Sequence, residues 1–339
     1  MDNVTSQIAE QIRLEQWNNE MSVAFLPNTI FLVFSCIIGV FGNSCVLYVY
    51  GGRLRRKYEG RFFVPYLAAA DLIVMVVAVG LNISINVNPV NYKNSVVCTG
   101  GSFLVGLMSV WSICILILIA FQRYQKICKP MTNHMTRFQM KLTLVFSFII
   151  SLLLNVIFIF TVGLRDVKLK NLNVTGKTCE RLSEESPVLS IVHSVILSVF
   201  AVLSCTVLIV LYGLIGKAIY RHKKIQKNSL EIRSSRKSKI TRMSKTTLMF
   251  MIITIIFIIS YIPTGIKMIV ESIPDFSTVS LLWRFLTTFF VVNHFANPIV
   301  YAFMDVIFSR ELKRIFRCGK EILPGDSDYS ERNEQDTTT

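Results

Sequence analysis

Long apolar runs alternate with short polar breaks along most of the chain. The runs cover 28–50, 62–87, 96–121, 142–164, 188–216, 246–266 and 281–304, and each is nearly free of charge. A helix needs roughly 20 apolar residues to cross a hydrocarbon core, so the pattern predicts seven transmembrane helices. The breaks are too short to divide them into separate domains. After the seventh run the pattern changes. In "DVIFSRELKRIFRC" (Asp305 to Cys318), Ile307, Phe308, Leu312, Ile315 and Phe316 share one helical face, and Arg310, Lys313, Arg314 and Arg317 fall largely on the other. This is the pattern of a short helix lying on a membrane surface, and Cys318 at its end is a candidate lipidation (palmitoylation) site. The expected class is an all-α membrane protein: a seven-transmembrane helix bundle with a short amphipathic cytoplasmic helix after the seventh span. Its expected parts are an extracellular N-terminal segment at 1–26, the bundle at 27–305, the amphipathic helix at 306–318 and a disordered cytoplasmic tail at 319–339.

Charge placement adds an orientation. The first break, "GGRLRRKYEGR", carries Arg53, Arg55, Arg56, Lys57 and Arg61, whereas residues 1–24 hold Asp2, Glu10, Glu15 and Glu20 against Arg13. The positive-inside rule then places the N-terminus outside and, after an odd number of spans, the C-terminus inside. Stretch 217–245 agrees, with eleven Lys and Arg and one Glu. Its Ser234, Ser235 and Ser238 sit among basic residues, as kinase substrates often do. The first 24 residues lack the apolar core that a cleaved signal peptide needs. The net charge of +15 faces anionic inner-leaflet lipid and cytoplasmic partners, so a nucleic-acid partner is not expected.

Composition narrows the function classes. At 52% hydrophobic and 17% charged, the 339-residue chain is a poor match to a soluble protein. An enzyme would need a clustered nucleophile, a metal set or paired acids; with four histidines and Asp71 as the only acid deep in a span, none is expected. A transporter or channel would show internal repeats or broken helices in corresponding halves, and no repeat is found. Cys36, Cys45, Cys114 and Cys205 lie within spans as small apolar residues. Cys98 and Cys179 both fall on the outer side, where a disulfide is permitted. Asn3 and Asn173 open glycosylation sequons on that side; Asn82 opens a third, within or near the second span.

Several motifs occur in order. They are Gly42-Asn43, "LAAADL" (Leu67 to Leu72) with Asp71, Cys98 twenty-five residues before Arg123, and "QRYQKICKP" (Gln122 to Pro130). "FIISYIP" (Phe257 to Pro263) and Asn297-Pro298-Ile299-Val300-Tyr301 follow, with Phe308 seven residues beyond Tyr301. Through these residues the chain, over about 25–318, resembles the rhodopsin-like (class A) G-protein-coupled receptors of neuropeptide type. The resemblance implies a plasma-membrane receptor that passes an extracellular signal to a heterotrimeric G protein by rearranging helices six and seven. Arrestin, receptor kinases and membrane lipid are its further implied partners. It also implies a Cys98–Cys179 disulfide and a switch built from Arg123, Tyr124, Tyr212, Thr247, Tyr261, Pro263, Asn297, Pro298 and Tyr301. No cofactor is implied beyond an allosteric sodium ion.

That ion is the expectation for Asp71. An unpaired carboxylate in mid-span costs roughly 2.5–3.5 kcal/mol on insertion scales. The family arrangement brings Asn43, Ser112, Asn293 and Asn297 beside it, a hard-oxygen shell suited to a metal cation. A water-filled hydrogen-bond network tying the helices together is the alternative. His294 is read as a lipid- or helix-facing packing residue.

Departures from the family pattern shape the remaining expectations. Gln122 stands where an acid usually pairs with the arginine, and Met243 where a second acid is common; Thr247 or other polar groups are left to hold Arg123. The expected consequence is measurable basal signalling, up to a ligand-independent receptor. Tyr261 stands where most members have tryptophan, and Ser204 where a proline is common. Val105 replaces an amine receptor's aspartate, and Val291 a retinal protein's lysine, which disfavours both ligands. The expected pocket lining is Asn82, Val105, Ser109, His193, Tyr261, Lys267, Met268, Glu271 and Thr287. A polar second outer loop of about 25 residues, able to arch over the pocket as a hairpin, leans toward a peptide ligand.

Overall fold

The computed structural model describes residues 2–53, 59–131, 134–169, 174–182, 187–228, 234–270 and 281–316. Helix α1 (Asp2–Ala24) runs almost directly into α2 (Leu26–Val46), which continues as a π-helical turn over Leu47–Arg53. Next come α3 (Val64–Val87), α4 (Ser95–Cys128), α5 (Arg137–Asn155) and the single turn α6 (Phe158–Thr161). Strands β1 (Val162–Leu169) and β2 (Val174–Arg181) separate these from α7 (Pro187–Asn228) and α8 (Ser234–Val270). The last elements are α9 (Leu281–Thr288), α10 (Val291–Met304) and α11 (Val306–Phe316).

Six of the described helical segments are long and apolar enough to cross a membrane. The seventh span is split: α9 and α10 join through a tight turn at Phe289 and Phe290, where Val292 N–H reaches the Phe289 carbonyl at 3.0 Å. Helix α11 leaves α10 at 94° and so lies across the bundle end rather than extending the span. Its start is capped by Asp305, whose Oδ1 accepts from the Ile307 and Phe308 amides at 3.0 and 3.4 Å. Side chains on the outer faces, such as Phe146, Val199, Val202 and Ile209, are exposed, as a lipid-facing surface requires. Inside, an apolar cluster including Leu67, Ile119, Leu208, Phe250 and Phe257 fills one half of the bundle. A second, around Leu32, Met75, Leu107 and Val291, fills the other.

Gly42 explains half of the Gly-Asn pair: a Cβ there would sit 2.6 Å from Pro298 Cβ, so α2 and α10 meet at a distance no side chain allows.

One expectation changes, and two others gain detail. The fourth apolar run was expected to stay helical to 164, but α5 ends at Asn155, α6 adds one turn, and the chain is extended from Val162. Val162 to Leu169 then pair antiparallel with Arg181 to Val174, which is the hairpin that the loop between the fourth and fifth spans was expected to be able to form. The segment 1–26 is helical through α1, whose buried Asn18 donates to the Val87 carbonyl at 3.1 Å and accepts from Val90 N–H at 3.4 Å. The apolar residues Ile8, Ile12, Leu14 and Trp17 do not share one helical face, so among so many polar residues the sequence carries little helix signal.

Candidate functional site

A junction of polar side chains lies in the middle of the bundle. Asp71 on α3 is fully buried, and each carboxylate oxygen is engaged. Ser112 on α4 donates to Oδ1 at 3.0 Å, and Asn297 on α10 donates through Nδ2 to Oδ2 at 2.7 Å. The third partner is His294, whose Nδ1 lies 2.7 Å from Oδ1. An ionised carboxylate only accepts, so Nδ1 carries the proton toward it. The other ring nitrogen, Nε2, lies 3.1 Å from the Tyr261 hydroxyl on α8. Four helices therefore meet through one continuous hydrogen-bonded set.

Of the two placements expected of His294, the helix-facing one holds and the lipid-facing one does not, and the residue is hydrogen-bonded as well as packed. It is wholly buried, and its ring also meets Phe290 edge-on with centroids 6.1 Å apart. Two members of the expected sodium shell make no hydrogen bond to Asp71. Asn43 donates through Nδ2 to the Gly39 and His294 carbonyls, both at 2.9 Å, and so ties the α2 backbone to that of α10. Asn293 is buried with neither side-chain polar atom hydrogen-bonded among the described residues. Nitrogen donors reach both oxygens of Asp71, so in this arrangement a metal cation would have to share the carboxylate with His294 and Asn297, although Oδ1 of Asn43 and of Asn293 are buried without a hydrogen-bond partner among the described residues.

Arg123, at the other end of α4, donates through Nη2 to the Gly60 carbonyl at 2.8 Å, and its guanidinium lies 4.9 Å from the Phe250 ring centroid. The neighbouring Gln122 reaches across to α5, with Nε2 3.3 Å from Met140 Sδ. Gly60 precedes Arg61, which pairs with Asp305 at 2.6 Å. Tyr50 hydrogen-bonds the same Asp305 oxygen and stacks on Phe308 at 5.9 Å. Arg123 is therefore connected, through the backbone of 60–61, to the corner between α10 and α11. The carboxylate missing beside Arg123 has a counterpart one step further away, which the motif spacing could not show.

Of the other switch residues, Tyr301 is buried, with its ring 6.3 Å from those of Phe250 and Phe308, and its hydroxyl has no hydrogen-bond partner among the described residues. Tyr212 and Thr247 are also buried, Tyr124 lies 5.9 Å beneath Lys129 Nζ, and Pro263 and Pro298 lie within α8 and α10. The side chain of Met243 is outside the described residues.

At the hairpin end, Cys98 and Cys179 are bonded, with Cα atoms 5.7 Å apart, which fixes β2 to the start of α4. Below the hairpin is a cavity of about 260 Å³. Asn82, Val105, Ser109, Tyr261 and Thr287 line it, as expected from sequence. His193 does not: it is buried with its ring 4.6 Å from Phe158 and Nδ1 3.3 Å from Thr161 Oγ1. The lining also includes Glu180 and Arg181 of β2, Asn155 and Phe158 at the broken end of α5, and Trp283 and Arg284 of α9. These were missed because the elements carrying them read as one uninterrupted helix or as loop. Glu271, Asn173 and Cys318, with the side chains of Lys267, Met268 and Asn3, lie outside the described residues. Asn82 faces the cavity wall and donates to the Ala78 carbonyl at 2.8 Å, a place no glycan reaches.

A multi-pass bundle with a buried carboxylate junction, a cavity at one end and a caged arginine at the other defines the class of the protein. The 7 transmembrane receptor (rhodopsin family) match covers residues 42–301, and the chain belongs to that family. It is 21% identical over 290 residues to the tachykinin-like peptides receptor 86C of Drosophila melanogaster, covering 83% of this chain and 56% of that one. It is 25% identical over 293 residues to the pineal opsin of Petromyzon marinus, covering 84% and 60%. The pyroglutamylated RF-amide peptide receptor of Rattus norvegicus is 23% identical over 287 residues, covering 80% and 66%. The chain thus spans between 56% and 66% of the length of these relatives.

Proposed function

We propose that the protein is a plasma-membrane receptor, N-terminus outside and C-terminus in the cytoplasm, that detects an extracellular peptide and activates a heterotrimeric G protein. One observation carries the reading: the cavity under the tethered hairpin shares Tyr261 with the junction that reaches Asn297 on α10. A ligand in the cavity therefore has a physical route to the helix whose far end joins α11. At about 260 Å³ the cavity is below the usual 300–1,000 Å³ of small-molecule sites, which suits the end of a longer ligand. Two of the three relatives above are named as peptide receptors, which supports the same choice. Val291 supplies no amine for a retinal Schiff base, so the opsin likeness extends to the scaffold and not to the pigment.

On this reading the basic stretch 217–245 of the sequence and the amphipathic α11 belong to the cytoplasmic side, and arrestin and receptor kinases bind the same side after activation. A panel of neuropeptides, screened on cells carrying biosensors for each G-protein class, tests it. A peptide that triggers one class, with the response lost in Arg123→Ala at equal surface expression, is the expected result. Nucleotide exchange on no G protein by the purified receptor, with or without any peptide, would overturn it.

A further inference from the structure

The histidine at 294 gives Asp71 a different role from the expected one. Three groups already donate to its two oxygens: Ser112, His294 and Asn297. A bound cation would have to share the carboxylate with these donors, and an imidazole N–H aimed at Oδ1 meets it with positive charge. This holds whether or not the ring is protonated, since Nδ1 is a donor in both forms that face a carboxylate.

The ring also does something an ion could not. Its second nitrogen meets the Tyr261 hydroxyl, and Tyr261 lines the cavity. An ion held by carboxylate and amide oxygens binds from all sides without a fixed direction. An imidazole has two fixed attachment points on opposite edges, so it makes a rigid strut. The strut runs from α8 to α3 through α10, and the Asn43 bond to the His294 carbonyl holds its base in place.

We propose that His294 takes the place of sodium in this receptor: it closes the Asp71 site with protein atoms and couples the tyrosine at the cavity floor directly to Asp71 and, through it, to Asn297. The receptor is then indifferent to sodium, and motion of Tyr261 is transmitted through the ring. The inference stands apart from the peptide reading, since neither its geometry nor its test involves a ligand.

The test is thermal unfolding of the purified full-length receptor in sodium chloride and in potassium chloride at equal ionic strength. Wild type is expected to melt at the same temperature in both. In His294→Ser the carboxylate regains an open side flanked by a hydroxyl. Sodium should then raise the melting temperature by about 3 °C or more over potassium, and the rise should vanish in His294→Ser/Asp71→Asn. A sodium-specific rise in the wild type that Asp71→Asn removes would overturn the proposal. So would a folded, monodisperse His294→Ser that remains blind to sodium. The wild-type comparison alone decides the matter if the serine variant does not fold.

Discussion

Asp305→Asn isolates the contact set that holds Arg123. Asp305 is 2% exposed and Arg61 11%, and their charged atoms are 2.6 Å apart. The asparagine keeps the shape and one oxygen for the α11 amides, but it removes the charge that Arg61 and Tyr50 face. Breaking a buried ion pair costs about 3–5 kcal/mol where the stranded charge stays buried. Arg61 sits at the rim of the bundle and can turn outward, so about 2 kcal/mol is a better figure. The loss loosens 60–61, and with it the Gly60 carbonyl that receives Arg123. If ~1.4 kcal/mol of it belongs only to the caged state, the ratio of caged to free arginine falls about tenfold. The assay is basal nucleotide exchange on a reconstituted G protein, at matched receptor amount, for wild type, Asp305→Asn and Arg61→Ala. Both variants are expected to exceed wild type several-fold, and adding Arg123→Ala should abolish the gain. Basal exchange unchanged in both variants, with normal folding, would show that Arg123 is caged by its remaining contacts and that the 60–61 link carries no restraint.

Other expectations follow from single contacts. Cys98→Ser and Cys179→Ser should each lose about 2–5 kcal/mol of stability and most surface expression, with the double variant no worse than either; additive losses would contradict a shared bond. Gly42→Val forces a Cβ to 2.6 Å from Pro298 and should cost about 1–3 kcal/mol through overpacking, read as a lower melting temperature. A melting point equal to wild type would mean that α2 and α10 can separate at no cost. Asn18→Ala removes two hydrogen bonds between α1 and the chain around Val87 and Val90, and hydrogen exchange across α1 should rise; unchanged protection would place the anchoring of α1 elsewhere.

Much of this architecture was legible because a membrane simplifies the signal. A span must satisfy its backbone internally and face lipid with apolar atoms, so length and hydropathy alone locate helices. The amphipathic α11 was legible too, because its apolar and basic residues separate cleanly by face. What could not be read was where a span stops being a helix. Nothing in "NVIFIFTVGL" distinguishes an apolar helix from the turn and strand that follow Asn155, since Val, Ile and Phe suit both. The strand is selected by partners far along the chain, through the register of Leu164 with Cys179 and the bond from Cys179 to Cys98.

The polar junction shows the same limit at the scale of one side chain. The motif pattern identified Asp71, Ser112 and Asn297 correctly as neighbours, and then added Asn43 and Asn293 where the structure brings in His294. Both α10 choices are consistent with helical spacing: Asn293 is four residues from Asn297 and His294 three, so either can share its face. The phase that decides between them is set upstream, by the tight turn at Phe289–Phe290 where α9 gives way to α10. That turn draws the chain in by bonds of shorter reach than a regular helix uses, which rotates everything after it. With that rotation His294 points at Asp71 and Tyr261, and Asn293 is left buried without a hydrogen-bond partner among the described residues. A residue that composition alone marks as an oddity in an apolar helix thus becomes the centre of the site, because burying an imidazole here costs little once both of its nitrogens are bonded.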